Sequence, residues 1–400
     1  MTLILVTVSV TAWSQQGAPL SLDSALGLAE KQNLTLLAAR LRRAISVADV
    51  QIARQRPNPT FSFTALRDEP HEGWFIDQPL EIGGKRGHRI DVANEQGKLT
   101  DVEITALTRQ IRRQTRDAYY QLAFARAESA RRKHVLELAQ RLEQIAKERF
   151  ETGAVAQIEV VQAGLEVARA DADFQVAQQQ EKVALSDLNA LLNEPATTSW
   201  HLAQSLSALP PQVTLSNLIQ LAYSSNPDLQ HVAQEQKVEE SRRGLLKAER
   251  IPDLTVEFGL DYNAPHDFRV GPRGQVSMAL PLFSRNQGEI AQSLANQRVL
   301  DTQEEATKRS VAAQVEAAYY QLDAQRTQSE IYRQTLLPVA QRLESMAEDS
   351  YRSGKSDILV VLAAQRNVRD VERSYLESLF TVQSDFSALE ELVGSPLDQR

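Results

Sequence analysis

Apolar and polar positions along this 400-residue chain follow two periods. Long stretches carry apolar residues at three- and four-residue steps, as in Ile104, Leu107 and Ile111, or Leu136, Ala139, Leu142 and Ile145. That spacing gathers them on one side of a helix and specifies coiled-coil seams. Elsewhere the period drops to two. Between Pro252 and Pro281, Leu254, Val256, Phe258, Leu260 and Tyr262 share one face, and Thr255, Glu257, Gly259, Asp261 and Asn263 share the other. After a turn-rich stretch, Ala264 to Arg273, the alternation resumes with Val276, Met278, Leu280 and Leu282. A weaker version has Phe61, Phe63 and Ala65, a turn near Glu69 to Gly73, and a return through Trp74 and Ile76. These runs predict β-hairpins at about 60–80 and about 253–282.

The pattern is written twice. AYYQL at Ala118–Leu122 recurs at Ala318–Leu322, and RFETG ending at Gly153 matches SYRSG ending at Gly354. LLNEP ending at Pro195 matches LVGSP ending at Pro396, and Leu22–Asn33 matches Leu215–Asn226. The chain therefore divides into a first repeat, 15–200, and a second, 201–400. Each runs short helices, a hairpin of strands, and two long helices joined at a glycine, over about 88–193 and about 287–394. No proline occurs between Pro79 and Pro195, so one helix from about Ile90 to Thr152 would be roughly 90 Å long. Gly153 and Gly354 suit the left-handed residue that ends a helix, with Ser356 as an expected N-cap and Pro338 as an expected kink. The fold class is mainly α with a small β part.

Composition narrows the function. A formal charge of −8 removes the attraction to phosphates that nucleic-acid binding needs. Cysteine is absent, so thiolate chemistry and a cysteine-linked lipid anchor are not expected. The six histidines lie far apart, with no pair at helical ligand spacing, and Gly83–Gly87 fits no nucleotide-binding fingerprint. Gly83, Gly84 and Gly87 read instead as a strand-to-helix joint. No catalytic residue, metal ligand or cofactor is expected. Residues 1–14, apolar from Leu3 to Val10, read as a secretory signal.

No other stretch approaches the roughly 20 apolar residues of a membrane helix, so any membrane crossing must use strands. The alternating runs have the length that crosses a tilted bilayer, with Phe61, Phe63, Leu254, Val256, Phe258, Leu260, Tyr262, Val276, Met278 and Leu280 facing lipid. Four strands cannot close a barrel, and open edges are intolerable in lipid, so several chains must share one. Three copies give twelve strands and leave a lumen. A soluble periplasmic coiled-coil scaffold would explain the rods but not these runs.

QPLEIGGKRGHRI at Gln78–Ile90, the duplicated rods and FETGAVAQIEVVQ at Phe150–Gln162 resemble the TolC-like outer-membrane efflux protein family, and GGKRG in particular its heavy-metal branch. The resemblance implies a homotrimer with a twelve-stranded barrel in the outer membrane and helices in the periplasm. It implies a passive duct, for divalent metal cations or else for drugs or secreted proteins, served by a proton-driven inner-membrane exporter. A periplasmic adaptor would dock at tips formed by Thr152, Gly153, Ala154 and Val155, and by Ser353, Gly354, Lys355 and Ser356. Where relatives often carry acidic residues at the tunnel mouth, this chain has Val360 and Ala363; Asp357 and Glu159 are the nearby carboxylates.

Overall fold

The computed structural model describes residues 19–397, so the expected signal segment lies outside the described residues. The order is α1 (Leu22–Gln32), α2 (Leu34–Arg54), β1 (Thr60–Ala65), β2 (Glu72–Leu80), α3 (Lys85–Glu151) and α4 (Gln157–Leu192). The second half follows with α5 (Leu215–Ser225), α6 (Pro227–Ala248), β3 (Leu254–Ala264), β4 (Phe268–Met278) and α7 (Gln287–Ile331). A π-helical turn (Tyr332–Leu336), α8 (Leu337–Arg352) and α9 (Ile358–Val393) complete it. With no internal proline, α3 runs unbroken for 67 residues, about 100 Å. Its counterpart is interrupted. Pro338 offers no N–H and crowds the preceding turn, and the π turn just before it absorbs the conflict.

The chain forms two compact units, each drawing on both halves of the sequence. One contains residues up to Asn33 together with Ile111–Pro211 and Tyr320–Ser387. In it α4 buries Ala163, Ala170, Ala177 and Ala184, one residue in every seven, the repeat of a coiled-coil seam made from the smallest apolar side chain. In the same unit α9 buries Ile358, Val361, Leu362, Val368, Leu379, Val382 and Phe386. Asn189 ties the end of α4 to the chain beyond it, donating to the Ala196 and Thr198 carbonyls and accepting from Trp200 Nε1 at 2.7 Å. The buried Tyr119 hydroxyl lies 2.9 Å from the Leu20 carbonyl and accepts from the Gln204 N–H at 3.1 Å.

The other unit holds Leu34–Gln110, Gln212–Tyr319 and the chain from Ala388. Its sheet is antiparallel with order β1-β2-β3-β4, so the two hairpins lie side by side. A repeated device closes each half. Asn33 donates to the Leu191 carbonyl at 3.1 Å in the first unit, and Asn226 donates to the Leu392 carbonyl at 2.7 Å in the second. Asn226 also caps α6, accepting from the Leu229 N–H ahead of Pro227 in the first turn.

Four expectations need correction. β4 starts at Phe268, inside the stretch expected to be a turn, because Pro272 is tolerated on what is an edge strand of this chain. It ends at Met278, so Leu280 lies in the following connection and not in a strand. Gly87 lies in the first turn of α3, beyond the joint, since the helix already begins at Lys85. Ser356 does not cap α9. Its hydroxyl is buried without a partner, and Asp357 is the residue before the helix, its carboxylate 3.4 Å from the Leu359 N–H.

Candidate functional site

The sheet sorts its residues by face. In register across β1, β2 and β3, Phe61, Ile76 and Phe258 form one rung, and Phe63, Trp74 and Leu260 the next. Val256 pairs with Val276, and Leu254 lies between Leu80 and Met278. Trp74 packs on both phenylalanines, with ring centroids 5.7 and 4.5 Å apart. Phe61, Phe63, Phe258 and Val276 are 50–67 % exposed, while Leu254, Val256 and Tyr262 are half-buried by their neighbours. The opposite face is polar, with Thr60, Asp77, Glu257 and Gln275 on a single rung. In the described chain the outer edges of β1 and β4 have no strand partner. No described helix is long and apolar enough to cross a membrane.

One aromatic departs from this sorting. Phe75 belongs to the polar face, where its ring lies over Gly73 and Gly259; a Cβ added at either glycine would collide with the ring. Arg273 stacks 5.0 Å from the Phe75 centroid, and its Nε lies 3.5 Å from Glu257. The two glycines on adjacent strands were the signal for this contact in the sequence. The turn expected at Glu69 to Gly73 masked it, because Gly73 is already in β2.

At the helix-side end of the sheet, Gly83 and Gly84 take φ of +75° and +76°, which only glycine adopts without strain. They turn β2 into α3. Lys85 pairs with Asp253 at 2.7 Å, Ile82 donates its N–H to the same carboxylate at 3.2 Å, and Arg89 pairs with Glu81.

The helical tips belong to the other unit and share one construction. Gly153 and Gly354 both have φ of +71°. Ala154 N–H donates to the Arg149 carbonyl and Gly153 N–H to Phe150; Lys355 N–H donates to Ser350 and Gly354 N–H to Tyr351, all at 2.8–3.0 Å. Each pair of bonds satisfies the last carbonyls of the incoming helix. Thr152, Gly153, Ala154, Ser353, Gly354 and Lys355 are exposed, and Val155 and Ser356 are half-buried.

Beneath the turns lies a core of Leu142, Ala146, Ala163, Ala347, Tyr351, Ile358, Val361 and Leu362. Tyr351 is its centre, 1 % exposed. The Tyr351 hydroxyl donates to Glu159 Oε2 at 2.9 Å, and Arg149 donates to the Tyr351 carbonyl at 2.9 Å while stacking 4.4 Å above the ring. Burial, with the Glu159 bond second, pushes the Tyr351 pKa up to about 12. Of the expected tunnel-mouth residues, Glu159 is thus engaged with Tyr351, while Asp357, Val360 and Ala363 are exposed. The sequence offered one hint of Tyr351, the aromatic three positions before each tip glycine, but only Tyr351 is buried; Phe150 is 43 % exposed.

Further back, Glu166 is almost fully buried and is met by Arg169 and Arg366 at 3.0 Å and by Arg369 at 3.7 Å. Among the described residues no group of three or more His, Cys, Asp or Glu side chains could hold a metal ion.

Comparison with known proteins extends this picture. The model of the family described as "Outer membrane efflux protein" matches residues 25–194 and 218–395. The chain is similar to the cobalt-zinc-cadmium resistance protein CzcC of Cupriavidus metallidurans, 25 % identical over 95 % of this chain and 91 % of that one. It is also similar to the nickel-cobalt-cadmium resistance protein NccC of Alcaligenes xylosoxydans xylosoxydans, 26 % identical over 79 % and 74 %. The solved outer membrane protein VceC of Vibrio cholerae shares the fold with a TM-score of 0.75 at 16 % identity, covering 94 % of this chain and 96 % of that one.

Proposed function

The chain belongs to the outer membrane efflux protein family, and from that premise we propose that three copies of it enclose one passive exit duct for divalent heavy-metal cations. The observation that carries the reading is the open four-stranded sheet, apolar outside and polar inside, with a free edge on β1 and another on β4. A bilayer tolerates no open edge, so β4 of one copy must meet β1 of the next. Two copies would give eight strands with an interior filled by side chains, whereas three give twelve and leave a lumen. The apolar rungs then face lipid in the outer membrane, and Asp77, Glu257 and Gln275 face water.

The cargo reading rests on the metal-resistance relatives CzcC and NccC. The tip residues Thr152–Val155 and Ser353–Ser356, all exposed but the half-buried Val155 and Ser356, are where a periplasmic adaptor, bound in turn to a proton-driven inner-membrane exporter, would seat.

Deleting the gene and measuring cell-associated cobalt, zinc and cadmium tests the proposal. Accumulation reversed by the intact gene supports it; unchanged metal content with lost drug tolerance would transfer the duct to organic cargo. Cysteines at Val155 or Lys355 should crosslink to an adaptor, and silence at every tip position would remove the tips as its seat.

A further inference from the structure

The two passages from sheet to helix differ in what they leave uncovered. The first, 81–84, is closed by Lys85, Asp253, Glu81 and Arg89. The second, 279–286, is held in one shape by its own hydrogen bonds: Leu282 N–H to the Leu280 carbonyl at 2.9 Å, Arg285 Nε to Pro281 at 3.0 Å, and Gln287 Nε2 to Phe283 at 3.1 Å. Yet this ordered loop displays Leu280, Leu282 and Phe283 at 64, 65 and 92 % exposure. Apolar side chains presented together by a fixed backbone mark a surface that something covers.

Two observations identify the cover. Leu280 and Leu282 follow directly on Met278, which with Leu80 and Leu254 forms the last apolar rung, and the Leu282 N–H bond to Leu280 turns the chain there, so the loop's apolar residues adjoin the end of the apolar face. The antiparallel topology also brings the segments flanking all four strands to this end. They carry the exposed Arg54, Arg56, Arg250 and Arg285, while the acidic Glu81 and Asp253 are engaged by Arg89 and Lys85, and the exposed Glu249 accepts from Asn286 at 3.2 Å. An apolar band that ends in an aromatic residue and gives way to arginines matches the boundary between acyl chains and phosphates. We propose that the connection 279–286 is a phospholipid anchor. Phe283, Leu280 and Leu282 enter the acyl boundary of the periplasm-facing leaflet, and Arg285 and Arg250 reach its phosphates. The anchor sets the depth at which the sheet sits, and it rests on the membrane-barrel reading above.

The chain has no cysteine, so a single introduced thiol can carry a nitroxide at a chosen position. Phe283→Cys, Leu282→Cys and, on the strand face, Phe258→Cys would each be labelled in the full-length protein. Each is then reconstituted in vesicles of phosphatidylethanolamine and phosphatidylglycerol, with collisions measured against lipid-soluble oxygen and a water-soluble nickel chelate. The anchor predicts that oxygen dominates at all three, with Phe283→Cys and Leu282→Cys closer to the phosphates than Phe258→Cys. Nickel dominating at both loop positions means water covers them, and collisions with neither reagent mean a second copy does. Either result overturns the anchor while Phe258→Cys still reports lipid. Loss of lipid contact at Phe258→Cys as well would instead bring down the barrel reading itself.

Discussion

Helices α4 and α9 are both 36 residues long and occupy matching places in the two halves, yet from the tip to Ala184 the buried apolar residues of α4 are all alanines, whereas those of α9 are mostly large. α9 turns its large apolar residues inward, from Ile358 to Phe386 in the tip-bearing unit. α4 turns alanines inward and leaves Ile158, Val161, Leu165, Val176 and Val183 50–64 % exposed. The inward residues of α9 therefore stabilise the chain itself, whereas these five residues of α4 are largely uncovered in the single chain and its large buried residues, Leu188 and Leu192, lie only at the end of the helix. Alanine at every seventh position lets α4 lie close against its neighbours, and its outward row is free to form a second seam with another copy.

Phe386→Ala should have the largest effect. Phe386 is fully buried with Arg116 over its ring at 5.3 Å, so truncation should cost about 3–5 kcal/mol in urea unfolding followed by circular dichroism. Ala170→Leu attacks the other helix. It overfills a seam that admits only a methyl group and should cost about 1–3 kcal/mol; a neutral result would show that α4 is not held close. Gly153→Ala and Gly354→Ala should each cost about 1–2 kcal/mol, because both need a left-handed backbone and an added Cβ would meet no close neighbour. Unequal costs would reveal a difference between the tips that the backbone does not contain.

Val183→Ser changes an exposed residue of α4 and should move the dissociated chain by less than about 0.5 kcal/mol. The temperature at which the detergent-extracted oligomer falls apart should nevertheless drop. A further effect concerns pH. Tyr351 has a folded pKa raised from 10.0 to about 12, so its contribution is complete below pH 10 and is lost as pH rises toward 12. Tyr351→Phe should remove that alkaline step from a denaturation midpoint measured against pH.

The sequence made the periods legible. Strict alternation located both hairpins, proline scarcity located the rods, and the duplicated glycines located both tips. It did not reveal which side of α4 packs inward. Apolar size dominates such patterns, so the exposed Ile158, Val161 and Leu165 give the stronger signal, whereas the alanines that pack give a weak one. Contacts between distant residues were equally hidden, since Glu159 meets Tyr351 and Lys85 meets Asp253 only after the halves come together. Ser356 failed as a cap because Asp357, one position nearer the helix, already places its carboxylate by the Leu359 N–H. Phe75 was missed because Gly73, one of the two glycines that make room for its ring, was assigned to a turn and not to β2.

Native mass spectrometry of the protein extracted from outer membranes in mild detergent tests the shared barrel most directly. A shared barrel requires a particle of three chains that no dilution above the critical micelle concentration separates. A single chain, or one recovered from the soluble periplasmic fraction without detergent, would contradict it.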